Sequence, residues 1–174
     1  MTSAPSQLSL RRWPVAGAGR GVAALCIVAA VTFFVTGSGM LEGHAVYPSW
    51  RTLADFPGFA GYHAEYGRLL IPFLPVPLVL ATIGNAWLVF RAPAGVPRGL
   101  PIATLVAQVV ILVLTVTMFL PIQAELATPG NSPAEIVALV DRLIGISPIR
   151  EIPGLAVAAA FVVMLFLAIR GRAR

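Results

Sequence analysis

The side chains able to do chemistry are concentrated in one connector, residues 44–68, which lies between two long apolar runs. This connector holds both histidines and all three tyrosines of the chain: His44, His63, Tyr47, Tyr62 and Tyr66. Histidine and tyrosine can act as acid and base on a phenol or an enol. Trp50, Arg51 and Arg68 lie in the same connector, and with these groups they could line and close a pocket for a flat apolar ligand.

The aromatic side chains of the connector admit a second interpretation. Tyrosine and tryptophan collect at membrane–water interfaces, where they anchor the ends of helices. Trp50 and the tyrosines would then form an interfacial belt without any ligand.

Two short patterns, Glu42-x-His44 and His63-x-Glu65, bracket the connector. If the flanking helix ends are adjacent, two imidazoles and two carboxylates could converge on a zinc or iron ion. However, residues two apart on one helix do not face the same way, and no His/Cys cluster of diagnostic spacing occurs. We therefore interpret these four side chains as solvated interface residues. The sequence requires no cofactor and identifies none.

The elements that must position the connector are apolar. The chain has 174 residues, of which 58% are hydrophobic and 11% charged, whereas soluble domains carry about 25% charged residues. Runs without a charged residue cover residues 21–41, 69–90, 100–122 and 152–169. At about 1.5 Å per residue, each run can cross a hydrocarbon core of about 30 Å. The sequence predicts an all-α membrane protein, a bundle of four transmembrane helices.

The predicted organisation is one membrane domain, residues 21–170, with helices over about 21–48, 69–90, 100–122 and 152–170. Tails of residues 1–20 and 171–174 flank it. Ser132, Pro133 and Glu135 form a capping box, which predicts a short amphipathic helix over residues 132–144 in the second long connector. Gly145 and Pro148 are expected to end this helix.

The distribution of charge predicts the topology. The net charge is +5 and every basic residue is an arginine. Most arginines lie in the N-terminus, the short connector 91–99 and the C-terminus, whereas the acidic residues lie in or beside the two long connectors. The positive-inside rule then places both termini in the cytoplasm, in a multi-pass protein of the cytoplasmic membrane. The distribution of arginines between the two membrane sides explains the net positive charge, so no nucleic-acid partner is needed to account for it.

Polar and proline residues in the apolar runs predict internal features of the bundle. Asn85 is expected to form a hydrogen bond with Thr104 or Gln108, which would join the second helix to the third. The absence of an acid from the predicted spans argues against a proton-coupled exporter. Three prolines should bend the outer half of the second helix and open a cavity beneath the connector: Pro72, Pro75 and Pro77.

Segments along most of the chain resemble the anthrone oxygenase-like family, small bacterial four-helix membrane proteins of otherwise unknown function. The resemblance lies in residues 47–51 (YPSWR), the following Phe56, Tyr62-His63 and Tyr66, and Pro121-Ile122-Gln123 with Arg150. The chain departs from the family pattern at Gln123 and Ser147, where asparagines are usual. The resemblance implies a bacterial inner-membrane bundle that binds or oxidises a flat hydrophobic molecule, since some fungal members are associated with oxidising anthrones to anthraquinones.

The same hypothesis assigns roles to the candidate residues. His44 and His63 are acid/base candidates, and Tyr47 and Tyr66 orient the substrate. The substrate-binding set, which steadies an oxyanion and lines the pocket, comprises Trp50, Arg51, Arg68, Gln123 and Arg150.

A non-enzymatic function stays open beside this hypothesis. Gly37, Gly39 and Gly43 leave one face of the first helix nearly bare, and small residues let another helix approach closely. Through that face and the helix over residues 132–144, the chain could act as a membrane subunit in a homo- or hetero-oligomer.

Overall fold

The structure is a computed structural model that describes residues 16–172. In this part of the chain, four helices are long and apolar enough to cross a membrane: Gly19–Thr52, Phe59–Arg91, Gly99–Leu126 and Pro133–Gly171. We call them the first to fourth spans. The chain is therefore an all-α, multi-pass membrane protein, as predicted. The predicted tails lie outside the described residues, apart from 16–20, which begin the first helix, and 171–172, which end the last.

Each of the first three spans is built from shorter segments. The first comprises α1 (Ala16–Leu41), a π-helical turn (Glu42–Val46) and α2 (Tyr47–Thr52). The second comprises α3 (Phe59–Leu70) and α4 (Pro75–Arg91). The third comprises α5 (Gly99–Leu114), a second π-helical turn (Thr115–Phe119) and α6 (Leu120–Leu126), and the fourth is the single helix α7 (Pro133–Arg172).

The four spans pack as a closed bundle. Helix α1 packs against α4 and α7, and α5 packs against the same two helices from the other side. One apolar core, around Leu25, Leu88 and Phe161, fills the end that carries both ends of the described chain. A second core, around Trp50 and Phe119, fills the opposite end, which we call the distal end.

Asn85 ties the second span to the third, as predicted. Its Nδ2 donates to Thr104 Oγ1 and to Gln108 Oε1, both at 2.9 Å. Gln108 Nε2 in turn reaches Thr32 Oγ1 of the first span at 3.5 Å. Because these groups are buried among apolar side chains, their hydrogen bonds fix the relative height of three spans, although Asn85 Oδ1 has no partner.

The second span is interrupted at its prolines, which confirms the predicted bend. Helix α3 ends at Leu70 and α4 begins at Pro75, with a turn between them. Proline lacks the backbone N–H that would continue the helical ladder. Beyond this turn α3 packs against α6, and the space beneath it is the cavity described below.

The fourth span corrects the predicted end of the amphipathic helix. It begins as expected, with Ser132 N donating to Glu135 Oε2 at 2.7 Å and Glu135 N donating to Ser132 Oγ at 3.4 Å. It does not stop at Gly145 or Pro148, because α7 continues to Arg172. Proline removes one hydrogen bond but need not end a packed helix. Val140 and Leu143 hold this part of α7 in the distal core.

The first span also extends further than predicted. The apolar run ends near Leu41, but the helix continues through Glu42 to Thr52. Glu42 is thus an acidic residue inside a spanning helix, as is Glu151 in the fourth. The second and third spans contain Glu65 and Glu125. The expectation that no acid lies within a span is therefore wrong for all four helices.

The glycine face of the first span is occupied by the same chain. A side chain at Gly43 would collide with Glu151 and press on Ser147 of α7. A side chain at Gly39 would approach Arg150, whereas one at Gly37 would meet open space. The close helix approach that these glycines predict is therefore made, at Gly43, by the fourth span.

Candidate functional site

The distal half of the bundle contains a cavity of about 480 Å³. Its walls are largely apolar and include Leu74 and Leu78 of the second span, Ile111 of the third and Val157 of the fourth. Small-molecule sites are typically concave and apolar, with volumes of about 300–1,000 Å³. The cavity is therefore of the right size and character to bind a small hydrophobic molecule.

Small residues provide much of the space. Gly39 of α1 and Gly67 of α3 line the cavity, and a Cβ placed at Gly67 would have no heavy atom within 4 Å. The proline-rich turn between α3 and α4 adds to this space because the two halves of the second span do not run on as one helix.

A buried carboxylate, Glu42, lies at the polar end of the cavity with only 4% of its surface exposed. Tyr66 donates its hydroxyl hydrogen to Glu42 Oε1 at 2.9 Å, and Tyr47 donates to Oε2 at 3.3 Å. Arg150 Nη2 faces the same Oε2 at 3.7 Å. One carboxylate thus joins the first span to the second and the fourth.

The two π-helical turns flank this cluster. One turn begins at Glu42, and the other ends at Phe119, whose ring lies 4.2 Å from the Arg150 guanidinium carbon. An arginine over an aromatic face is held by cation–π attraction. π-Helical turns interrupt regular helices and occur frequently at functional sites. The two turns beside this cluster therefore support its interpretation as a functional site.

His63 lies in an aromatic cage beside the carboxylate. Its ring stacks on Phe59 with centroids 5.7 Å apart and meets Trp50 edge to face at 4.5 Å. It is 2% exposed, and its Nδ1 has no hydrogen-bond partner although it lines the cavity. Gln123 donates from Nε2 to the Tyr47 hydroxyl at 3.4 Å and completes the cluster. We call Glu42, Tyr47, His63, Tyr66, Gln123 and Arg150 the polar cap.

The structure brings together five of the nine predicted site residues. All five line the cavity: His63, Tyr47, Tyr66, Gln123 and Arg150. Trp50 does not line it but is fully buried behind it, with its ring centroid 5.2 Å from those of Tyr47 and Tyr66.

The other three predicted residues lie elsewhere. His44 has 69% of its side chain exposed and bonds to Glu151 Oε2 at 3.0 Å. Arg51 pairs with Asp141 at the surface, and Arg68 pairs with Glu65 one helical turn before it. None of these three side chains lines the cavity. Arg51 and Arg68 have carboxylate partners at the surface, whereas His44 bonds from outside to Glu151, which does line the cavity.

The two histidines and two acids considered as metal ligands do not converge, and their interpretation as solvated interface residues is wrong for Glu42 and His63. His63 and Glu42 are buried at the cavity, whereas His44 and Glu65 face away from it. Among residues 16–172 there is no group of three or more His, Cys, Asp or Glu side chains arranged to hold a metal ion. The spacing of two residues explains this, since such neighbours on a helix point in different directions.

Sequence reasoning missed the central position of Glu42 and the contribution of Phe119. Glu42 directly follows an apolar run and precedes a glycine, which is typical of a helix end. The contact between Glu42 and Tyr47, five residues apart, depends on the π-helical turn between them. No sequence signal we considered indicates that turn.

The polar cap lies near the membrane boundary. Glu42 follows Arg20 by about 22 helical residues, or about 33 Å at 1.5 Å per residue. A hydrocarbon core is about 30 Å thick. With Arg20 at one boundary, Glu42 lies at the other, and the apolar part of the cavity lies within the bilayer.

Fold and site together define a four-helix membrane protein with an internal cavity and a polar cap. Comparison of the chain with models of protein families, with curated proteins and with solved structures gives no match. The functional argument therefore depends on the geometry of the site.

The Arg150–Glu42 pair should stabilise the protein far more than a surface ion pair. Arg150→Met should lower the free energy of unfolding by about 3 kcal/mol, because it leaves a buried carboxylate without its cation. Arg51→Met is the matched control, since Arg51 and Asp141 are both about half exposed and such pairs contribute at most about 1 kcal/mol. Denaturant unfolding of the detergent-solubilised variants measures both. Equal losses would contradict the structural role given to Arg150.

Proposed function

We propose that this chain binds a flat hydrophobic small molecule in the distal cavity and, as an anthrone oxygenase-like protein, oxidises it there. The observation that carries the proposal is the combination of an apolar cavity of about 480 Å³ with a buried polar cap at one end. A hydrophobic molecule would occupy the apolar part and direct a polar atom at the cap.

The aromatic rings of the cap favour a flat ligand. Tyr47, Tyr66 and Phe119 all line the cavity, and aromatic rings pack well against planar molecules by offset stacking or edge contacts. The proposed ligand would arrive from the bilayer, because the apolar walls lie at the depth of the lipid chains.

The proposed reaction is oxidation of an anthrone methylene by dioxygen to a carbonyl, with release of one water molecule. His63 would act as the base that takes a methylene proton, since it lines the cavity and its buried Nδ1 has no hydrogen-bond partner. Arg150 would face the enolate oxygen that develops, and dioxygen, the oxidant, would add to the ring carbon. The family resemblance and this placement of His63 support the assignment.

We further propose that the distal end faces the outside of a bacterial cytoplasmic membrane. Arg20, Arg91, Arg98 and Arg170 flank the spans at the opposite end, and the positive-inside rule places such residues in the cytoplasm. The ligand would then be met at the outer membrane–water interface.

The alternative function, a non-enzymatic membrane subunit, gains less support. It was inferred from the bare glycine face of the first span, and Gly43 on that face packs against α7 of the same chain. Gly37 is the glycine of that face with open space beside it.

Filling the cavity should prevent ligand binding. Gly67→Leu should weaken the binding of anthrone to the protein in lipid nanodiscs at least tenfold, about 1.4 kcal/mol. Gly61→Leu is the matched control, because Gly61 also lies in α3 with open space around it but does not line the cavity. Quenching of Trp50 fluorescence, in a Trp13→Phe, Trp87→Phe background, reports binding. If wild type does not bind anthrone, or if both leucine variants bind it like wild type, the proposed site is wrong.

The two histidines should differ in catalysis. His63→Phe keeps an aromatic ring in the cage but removes the base, and it should slow conversion of anthrone to anthraquinone about a hundredfold. His44→Phe should change the rate less than about twofold, because His44 is exposed and lies outside the cavity. Absorbance under air, corrected for spontaneous oxidation, gives the rates. Binding without any catalysed oxidation by wild type would leave a binding protein and remove the oxygenase assignment.

A further inference from the structure

The polar cap presents an unsatisfied hydrogen-bond donor. Arg150 Nη2 is buried and has no hydrogen-bond partner, because its distance of 3.7 Å to Glu42 Oε2 exceeds that of a hydrogen bond. Leaving a buried donor without a partner is costly, and a cationic donor more so. A ligand that brings an acceptor oxygen to Arg150 would therefore gain affinity.

The acceptor need not carry a charge, because Glu42 already supplies one. Burial opposes the charge of Glu42, but two tyrosine hydroxyls donate to its carboxylate and the Arg150 cation lies 3.7 Å from it. These two hydrogen bonds and the neighbouring cation favour the ionised form. Glu42 thus holds the position beside Arg150 that the carboxylate of an anionic ligand would otherwise take.

A ligand that brings its own negative charge next to Glu42 would be strongly disfavoured, whereas the charge of an enolate formed in the cavity would be balanced by the proton that His63 takes. Like charges repel more in a low-dielectric interior than in water. Glu151, which adjoins Arg150 in sequence, lies on the same side of the cavity and bonds to the exposed His44. Two carboxylates and one arginine therefore line the cavity in this region, and discrimination by a repulsive group is a common route to specificity.

We propose that Glu42 is a built-in counter-ion that makes the cavity select uncharged hydrophobic molecules with a carbonyl or hydroxyl oxygen over hydrophobic acids such as fatty acids. This inference rests on the proposed binding function and names the class of ligand for the same site. It also identifies Glu42 as the residue that determines the selectivity.

Two fluorescent probes of nearly equal size and shape test the proposal. 1-Acetylpyrene is an uncharged ketone, and 1-pyrenecarboxylate is an anion at neutral pH. Each is titrated into the protein in zwitterionic nanodiscs, in the background that keeps only Trp50, and the saturable energy transfer from Trp50 to pyrene gives the dissociation constant. Partitioning of each probe into protein-free nanodiscs is measured separately and its dissociation constant is corrected for it, so the two probes can be compared within wild type as well as between variants.

Wild type should bind the ketone at least tenfold more tightly than the carboxylate. Glu42→Gln should shift this ratio at least tenfold towards the carboxylate, because Arg150 then becomes an uncompensated cation facing the cavity. Glu65→Gln is the control of equal charge change; Glu65 pairs with Arg68 at the surface, so the ratio should stay at the wild-type value.

The outcomes separate the two proposals. If wild type binds the carboxylate as tightly as the ketone, or if Glu42→Gln folds and leaves the ratio unchanged, the selectivity proposal is overturned and the binding function stands. If wild type shows no saturable binding of either probe, the binding function fails and the selectivity fails with it. The wild-type comparison decides the question even if Glu42→Gln does not fold.

Discussion

The burial of one carboxylate constrains the whole distal half of this protein. The side chain of Glu42 is buried away from water. A buried charge is tolerated only where hydrogen-bond donors and an opposite charge surround it. Tyr47 supplies one donor from the first span, Tyr66 one from the second, and Arg150 the cation from the fourth. The heights of α3 and α7 at the distal end are therefore fixed by the requirement to satisfy Glu42, and the same requirement creates a polar surface inside an apolar bundle.

The cavity follows from two further constraints on the second span. Prolines prevent a continuous helix between α3 and α4, and Gly67 leaves room where another residue would fill the space. At the other end of the bundle Asn85 holds the spans together through buried hydrogen bonds. The half of the bundle around Asn85 is thus joined by buried hydrogen bonds, whereas the distal half contains the cavity. The polar cap lies at one end of that cavity.

The four-helix architecture could be predicted from the sequence, because a long apolar run that crosses a membrane has few possible structures other than a helix. The sequence also located Asn85 among its partners and the start of α7 at Ser132. It predicted a first helix that includes Glu42, but not the π-helical turn across which Tyr47 reaches the Glu42 carboxylate. The outward positions of Arg51 and His44 depend on Asp141 and Glu151, which are distant in sequence. The i,i+3 spacing of Glu65 and Arg68, in contrast, was a visible signal for their pairing.

Photolabelling with benzophenone tests the central claim most directly, because benzophenone is an uncharged hydrophobic ketone that reacts with side chains beside its carbonyl. After irradiation in nanodiscs, peptide mapping locates the label. We predict saturable labelling of the cavity-lining residues within 64–70 of α3 and 119–124 of the third span, and loss of this labelling when 1-acetylpyrene is added in excess. Labelling spread over exposed, lipid-facing side chains such as Ile27 and Phe90, with no displacement, would contradict it.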